Sequence, residues 1–260
     1  MQHQEGAFKG LKDFNIYYQS WLPEKKPEAV LLISHGYGGH GGRYGTLAEY
    51  LVPKGYAVYA PDHRGHGRSD GERLVTDDPH DYINDLKTFF DIVRKKNPGK
   101  KIFLLGHSMG SFIALLYTLE YQKELAGLIV TGSGFPRPGD PPMQPPKAGE
   151  PMDLSFLSSD PEVIKSHEDD PLIYHGPIPA VFPMGNAPAK LFGMVPQLKL
   201  PILIMAGNAI QDGERCRVLY ERVGSTDKTL KLYEGMRHEI LAEPERLTVM
   251  ADIEAWLKKH

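Results

Sequence analysis

The 260-residue chain lacks most of the features that would set it apart from an ordinary globular protein. Its single cysteine, Cys216, excludes an intrachain disulfide and suits a reducing compartment. No apolar run approaches the roughly 20 residues of a membrane span. Residues 1–6 lack the basic-then-apolar pattern of a secretion signal, so a cytoplasmic protein is expected. A positive excess is missing too: 30 Lys and Arg stand against 33 Asp and Glu, a formal charge of −3, and no basic stripe suggests a nucleic-acid partner. What remains is 41 % hydrophobic and 24 % charged residues, in a chain long enough to bury a core without metals or disulfides.

Short apolar runs alternate with helical periodicity. The pattern predicts strands over 14–21, 29–34, 56–60, 101–105, 125–130, 201–206 and 229–233, and helices over 43–52, 81–96, 109–121, 213–223 and 244–259. Strands alternating with helices imply an α/β fold with a mostly parallel central sheet flanked by helices. Composition shifts in between: 15 of the 22 prolines lie from Pro136 to Pro201. Proline fixes φ and removes a backbone donor, which excludes central strands and long unbroken helices there. Leu154, Phe156, Leu157, Val181, Phe182, Leu191, Phe192 and Met194 are too many large apolar residues for a solvated linker. The expected organisation is a core of residues 1–133 and 200–260 with a cap insertion at 134–199.

Gly106-His107-Ser108-Met109-Gly110 fits G-x-S-x-G, and its context raises its weight. A buried-looking strand runs into it and a helix follows at once, the setting of a nucleophile elbow. Such a tight turn holds its serine at strained dihedrals and leaves room only for glycine two residues to either side. A serine hydroxyl needs an adjacent base. His238 follows the last predicted strand and precedes the last helix, the chain order this chemistry uses. Oxyanion donors are expected from the backbone N–H groups of Met109 and of Tyr37, in the glycine-rich loop after the 29–34 strand.

Three stretches together resemble the monoglyceride lipases and their bacterial and archaeal relatives: His35-Gly36-Tyr37-Gly38-Gly39-His40-Gly41-Gly42-Arg43-Tyr44, then Asp62-His63-Arg64-Gly65-His66-Gly67-Arg68-Ser69-Asp70-Gly71, then the serine motif. The run from Asp227 to Gly235 before His238 is similar as well. The resemblance spans nearly the whole chain outside the Pro-rich segment. It implies an α/β-hydrolase fold with a mobile cap, a Ser-Asp-His triad, no cofactor, and activity on monoacylglycerols or related esters. The expected reaction is ester hydrolysis through an acyl-enzyme, on a monoacylglycerol or another medium-chain mono-ester and without a metal. His107, Leu154 and Phe182 are the side chains expected against substrate.

Two departures leave alternatives open. The family places its acid as G-x-x-D after the strand at 201–206, whereas here Gly207-Asn208-Ala209 is followed by Ile210 and the loop looks about two residues short. Asp212 is the expected acid and Asn208 the substitute. The cap is short, and its apolar residues line an acyl pocket, plug onto the core, or form a lid in transient contact with a lipid surface. A peptidase or acyltransferase would use the same nucleophile, and a relative weakened by loss of the acid would only bind an acyl ligand. His63 and His66 fit turn-stabilising hydrogen bonds better than a metal pair. Arg43 is expected on the helix surface or toward the site, and Cys216 in packing or at the surface.

Overall fold

The computed structural model describes residues 1–137, 139–140, 149–150, 152–180 and 183–260. The strands are β1 (Gln2–Lys9), β2 (Asn15–Leu22), β3 (Ala29–Ser34), β4 (Tyr56–Pro61), β5 (Lys101–His107), β6 (Gly127–Thr131), β7 (Ile202–Gly207) and β8 (Lys228–Tyr233). Among the described residues they form one sheet in the order β1-β2-β4-β3-β5-β6-β7-β8. The pairs from β4 to β8 are parallel, while β1-β2 and β2-β4 are antiparallel.

The continuous apolar runs are explained by burial on both faces. Val30 and Leu32 of β3 pack with Ile102 and Leu104 of β5 in one core cluster. Leu31, Ile33, Phe103 and Leu105, the alternate residues, belong to a second cluster on the other side. Helices α2 (His80–Lys96), α3 (Met109–Tyr121) and α6 (Asp212–Arg222) cover the first face, with Phe89, Phe90, Phe112, Ile113 and Leu219 in its core. Helices α1 (Gly45–Leu51) and α7 (Arg246–Lys259) cover the second through Leu47, Leu51, Val249, Ile253 and Trp256. Gly55, at φ +96°, ends the α1 region in the left-handed conformation that favours glycine.

Strand β1 is an element the hydrophobic pattern does not predict. Seven of its eight residues are exposed or half-buried and only Phe8 enters the core, so its pairing with β2 rests on backbone hydrogen bonds at the sheet edge. The Pro-rich stretch contains two eight-residue helices, α4 (Pro161–Glu168) and α5 (Ala187–Met194). Their prolines sit in the first turn, where the missing N–H has no intrahelical partner to lose. Asp160 caps α4 by accepting from the Glu162 N–H at 2.9 Å.

The sheet order locates a crevice. From β3 the chain passes to β4 on one side, and β5 pairs with β3 on the other. The carboxyl ends of β3 and β5 therefore flank a topological switch point, where open α/β sheets bind ligands. The glycine-rich loop leaves β3 there, and the G-x-S-x-G turn leaves β5 beside it.

Candidate active site

Ser108 occupies the turn between β5 and α3 at φ 53° and ψ −119°, a conformation L-residues rarely adopt. The flanking glycines are required sterically. A methyl group on Gly106 would lie 2.4 Å from the Gly110 carbonyl oxygen, and one on Gly110 would lie 2.1 Å from that of Ser34. The turn is fastened by the Ser108 N–H donating to the Thr131 carbonyl at 3.1 Å and by Ser111 Oγ, 2.6 Å from the Ser108 carbonyl. Met109 opens α3, so the amino end of that helix stands directly behind the serine.

The loop after β3 presses against this turn: a Cβ on Gly36 would stand 3.2 Å from Ser108 Cβ. Tyr37 follows, its ring packed edge-on against His66 at 6.1 Å and its phenol pushed up to about 12 by burial. The side chain is thus part of the packing, while Tyr37 and Met109 both line the cavity above Ser108.

His238 lies in the loop between β8 and α7, and its Nδ1 is 2.6 Å from Asp212 Oδ2. Both side chains are nearly buried. Asp212 is the first residue of α6, where the helix dipole favours a negative charge. A shortened loop reaches His238 because it is stitched to the histidine turn. Asn208 N–H donates to Tyr233 O at 2.9 Å and Ala209 N–H to Met236 O at 3.0 Å. Gly207 has no space for a side chain, since a Cβ would come 2.1 Å from Arg237 O. Asn208, the alternative orienting residue, turns outward and donates to Glu234 Oε2 at 3.1 Å.

Ser108 and His238 line one cavity of about 730 Å³, a size suited to a small organic ligand. Its apolar wall includes Leu47, Phe112, Leu154, Phe156, Ile164 and Ile173. Leu154, expected against substrate, lines this cavity. Phe182 and Val181 lie outside the described residues. His107 lines the cavity, but both ring nitrogens are held by protein: Nδ1 is 3.0 Å from Thr131 Oγ1 and Nε2 is 3.2 Å from Glu239 Oε1.

The Pro-rich segment meets the site through its backbone. His238 N–H donates to Phe156 O at 3.3 Å, Glu239 N–H to Leu157 O at 2.8 Å, and Tyr174 N–H to Gly38 O at 3.1 Å. Arg43 reaches the segment too, donating to the Ser166 carbonyl at 3.0 Å, and His40 Nε2 lies 2.9 Å from Asp170 Oδ2.

The histidines around the Asp62 loop brace the glycine-rich loop. Asp62 accepts from the N–H groups of Gly41 at 2.8 Å and Arg68 at 2.9 Å. His35 Nδ1–H donates to Gly36 O, and its Nε2 accepts the His63 N–H, each at 2.8 Å, which fixes a neutral tautomer. Among the described residues no group of three or more His, Cys, Asp or Glu is arranged to hold a metal. Cys216 is fully buried in α6, and burial pushes its thiol up to about 12, which leaves it a packing residue.

Burial drives the His63 imidazole down to about 3 and that of His66 to about 4, and His35 falls in the same direction. An unfolded chain protonates these groups near the ordinary value of about 6.5. Their contribution to stability is therefore complete above that value, declines as the pH drops below it, and is gone once the folded values are passed. Each histidine costs about 1.4 kcal/mol per pH unit in that window. We expect the urea midpoint to drop steeply between about pH 6.5 and pH 5, above the range in which ordinary carboxylates titrate. A midpoint unchanged over this interval would contradict buried, neutral histidines.

A family model described as serine aminopeptidase, S33, matches residues 25–245. The chain is 33 % identical to a monoacylglycerol lipase of Mycolicibacterium smegmatis, over 98 % of this chain and 97 % of that one. It is also 33 % identical to the monoglyceride lipase of Homo sapiens, over 94 % and 87 %. The crystal structure of the Paleococcus ferrophilus monoacylglycerol lipase superposes with a TM-score of 0.79 at 28 % identity, covering 93 % of this chain and 98 % of that one. The chain thus belongs to the α/β-hydrolase family covered by that model, as a serine ester hydrolase of monoglyceride-lipase type.

Proposed function

We propose that the chain hydrolyses monoacylglycerols or similar medium-chain mono-esters, with Ser108 as nucleophile, His238 as base and Asp212 as acid. The observation that carries this reading is the buried 2.6 Å contact between Asp212 and His238 beside a cavity that also exposes Ser108. Ser108 Oγ attacks the ester carbonyl carbon while its proton passes to His238. Asp212 holds the Nδ1–H tautomer and offsets the imidazolium charge. The backbone N–H groups of Tyr37 and Met109 receive the oxyanion. As the tetrahedral species collapses, the C–O bond to the alcohol breaks and His238 returns the proton to the leaving oxygen. Water, deprotonated by His238, then cleaves the acyl-enzyme to the carboxylic acid.

The relatives' names and the apolar wall of the cavity support this substrate class. Residues 134–199 act in this reading as the cap over the acyl chain, with Leu154 against it. Among the described residues no helix is long and apolar enough to cross a membrane. Transient contact with a lipid surface is assigned in this reading to the cap.

The test is glycerol release from monoacylglycerols of graded chain length, set against release of an aromatic amine from aminoacyl anilides. We expect kcat/KM on the preferred monoacylglycerol to exceed that on any anilide by at least about 100-fold. Equal or faster cleavage of the anilides would replace the ester reading with a peptidase one.

A further inference from the structure

Next to the proposed Ser108–His238–Asp212 relay lies a second pair of ionisable groups that the reaction scheme does not use. Glu239 follows His238 in the chain, and His107 precedes Ser108. Their side chains meet at 3.2 Å in a site that leaves His107 only 5 % exposed and Glu239 23 %. We propose that the Glu239–His107 ion pair is a positioning device that ties the base-bearing loop to the nucleophile turn, and that its charged form is the form in which Ser108 is most reactive. The proposal rests on the reading of Ser108 and His238 given above.

The geometry suits a doubly protonated His107. Nε2 faces a carboxylate oxygen, which only accepts, and Nδ1 faces a threonine hydroxyl, which accepts equally well. That threonine belongs to the clamp on the nucleophile, since the Ser108 N–H donates to the Thr131 carbonyl at 3.1 Å. The imidazole of His107 also packs on that of His238, with ring centres 4.8 Å apart. Space is already filled around it: a Cβ on Gly132 would lie 2.8 Å from His107 Cε1. Glu239 is held from a third side by its N–H bond to Leu157 O at 2.8 Å. Shifting either member therefore shifts the distance between serine and base, and misplacing reacting groups by about 1 Å costs on the order of 100-fold in rate.

Electrostatics run the same way. Burial alone would lower His107, but the Glu239 charge and hydrogen bond, aided by Asp212 from α6, raise it above its ordinary value. Burial opposes the Glu239 charge, yet His107, with His238 and His167 adding, holds its carboxyl well below the usual range. The other groups facing the pair are Tyr44 ahead of α1, whose phenol Glu239 helps to raise, and His167 of α4, which burial lowers to about 4 and which is therefore neutral at neutral pH. Arg43 adds its positive charge near Tyr44 and His167. The ion pair is present at neutral pH and is lost as the pH rises through the elevated His107 value.

The experiment uses the full chain, p-nitrophenyl butyrate, a fluorophosphonate probe, and the variants Glu239→Gln and His107→Gln. We expect either substitution to lower kcat and the labelling rate about 10- to 100-fold at neutral pH, with KM nearly unchanged. The wild type should lose activity on the alkaline side, whereas the variants should be flat there, so that the curves converge. Wild-type kcat and pH profile in Glu239→Gln would overturn the inference. So would a loss of the same size at every pH, since a merely structural role predicts that. Imidazole ¹⁵N spectra of the wild type provide a reading that does not depend on how the variants fold: His107 should be doubly protonated at neutral pH, and a neutral ring would overturn the proposal. A wild type that takes no phosphonate would overturn the Ser108 reading together with this one. A labelled wild type matched by Glu239→Gln would overturn this one alone.

Discussion

Asp212→Asn should lower kcat by about 10⁴-fold, equivalent to about 5.5 kcal/mol of transition-state stabilisation, with little change in stability or KM. The magnitude follows from what the carboxylate does. At 2.6 Å from His238 Nδ1 it accepts a hydrogen bond that becomes charge-assisted as the imidazole takes the serine proton. An amide is similar in shape, but it can donate to Nδ1 as readily as accept, which places the proton on the nitrogen that should be free to act as base. It also carries no charge to offset the imidazolium. Asn208→Ala should leave turnover within about twofold, because surface substitutions away from the chemistry are close to neutral and Asn208 is engaged with Glu234. The two variants assayed together distinguish Asp212 from Asn208 as the acid. Full activity in Asp212→Asn, or a large loss in Asn208→Ala, would reverse the assignment.

Ser108→Ala should reduce ester turnover by about 10⁶-fold and abolish the burst of coloured alcohol from a p-nitrophenyl ester. Its stability should be close to that of the wild type, because alanine retains the Cβ that makes φ 53° unfavourable. Ser108→Gly should be equally inactive yet more stable by about 1 kcal/mol, since glycine adopts a positive φ without that penalty. Loss of activity in both, with stability rising only in the glycine variant, separates the chemical role of the hydroxyl from the steric demands of the turn. Turnover retained in Ser108→Ala would move the nucleophile elsewhere.

The parts of this molecule that were legible from sequence are those whose physics is local. Strands β3 to β7 are buried on both faces, so they read as unbroken apolar runs. The serine turn is legible because its glycines are forced by contacts under 2.5 Å, which leave no other residue type. Strand β1 was not legible: its side chains are mostly exposed, and its place depends on backbone pairing with β2. Asp212 could be named only as the nearest carboxylate. What brings it to His238 is the stitching of 207–209 onto the 233–237 turn, a contact between segments that no periodicity records. His107 was expected against substrate, but its nitrogens are taken by Thr131 and Glu239, more than 100 residues away in the second case. The arginine of the glycine-rich loop, Arg43, similarly finds its partners at Ser166 and Asp170 in the Pro-rich segment, a pairing that tertiary structure alone supplies.

The whole reaction scheme requires Ser108 to be an activated nucleophile, and covalent labelling reads that out. The wild-type chain is treated with a fluorophosphonate and its intact mass is measured, followed by peptide mapping. One adduct per chain is expected, on the peptide that contains Ser108, formed far more slowly in Asp212→Asn. An unlabelled protein, or an adduct on any other residue, would contradict it.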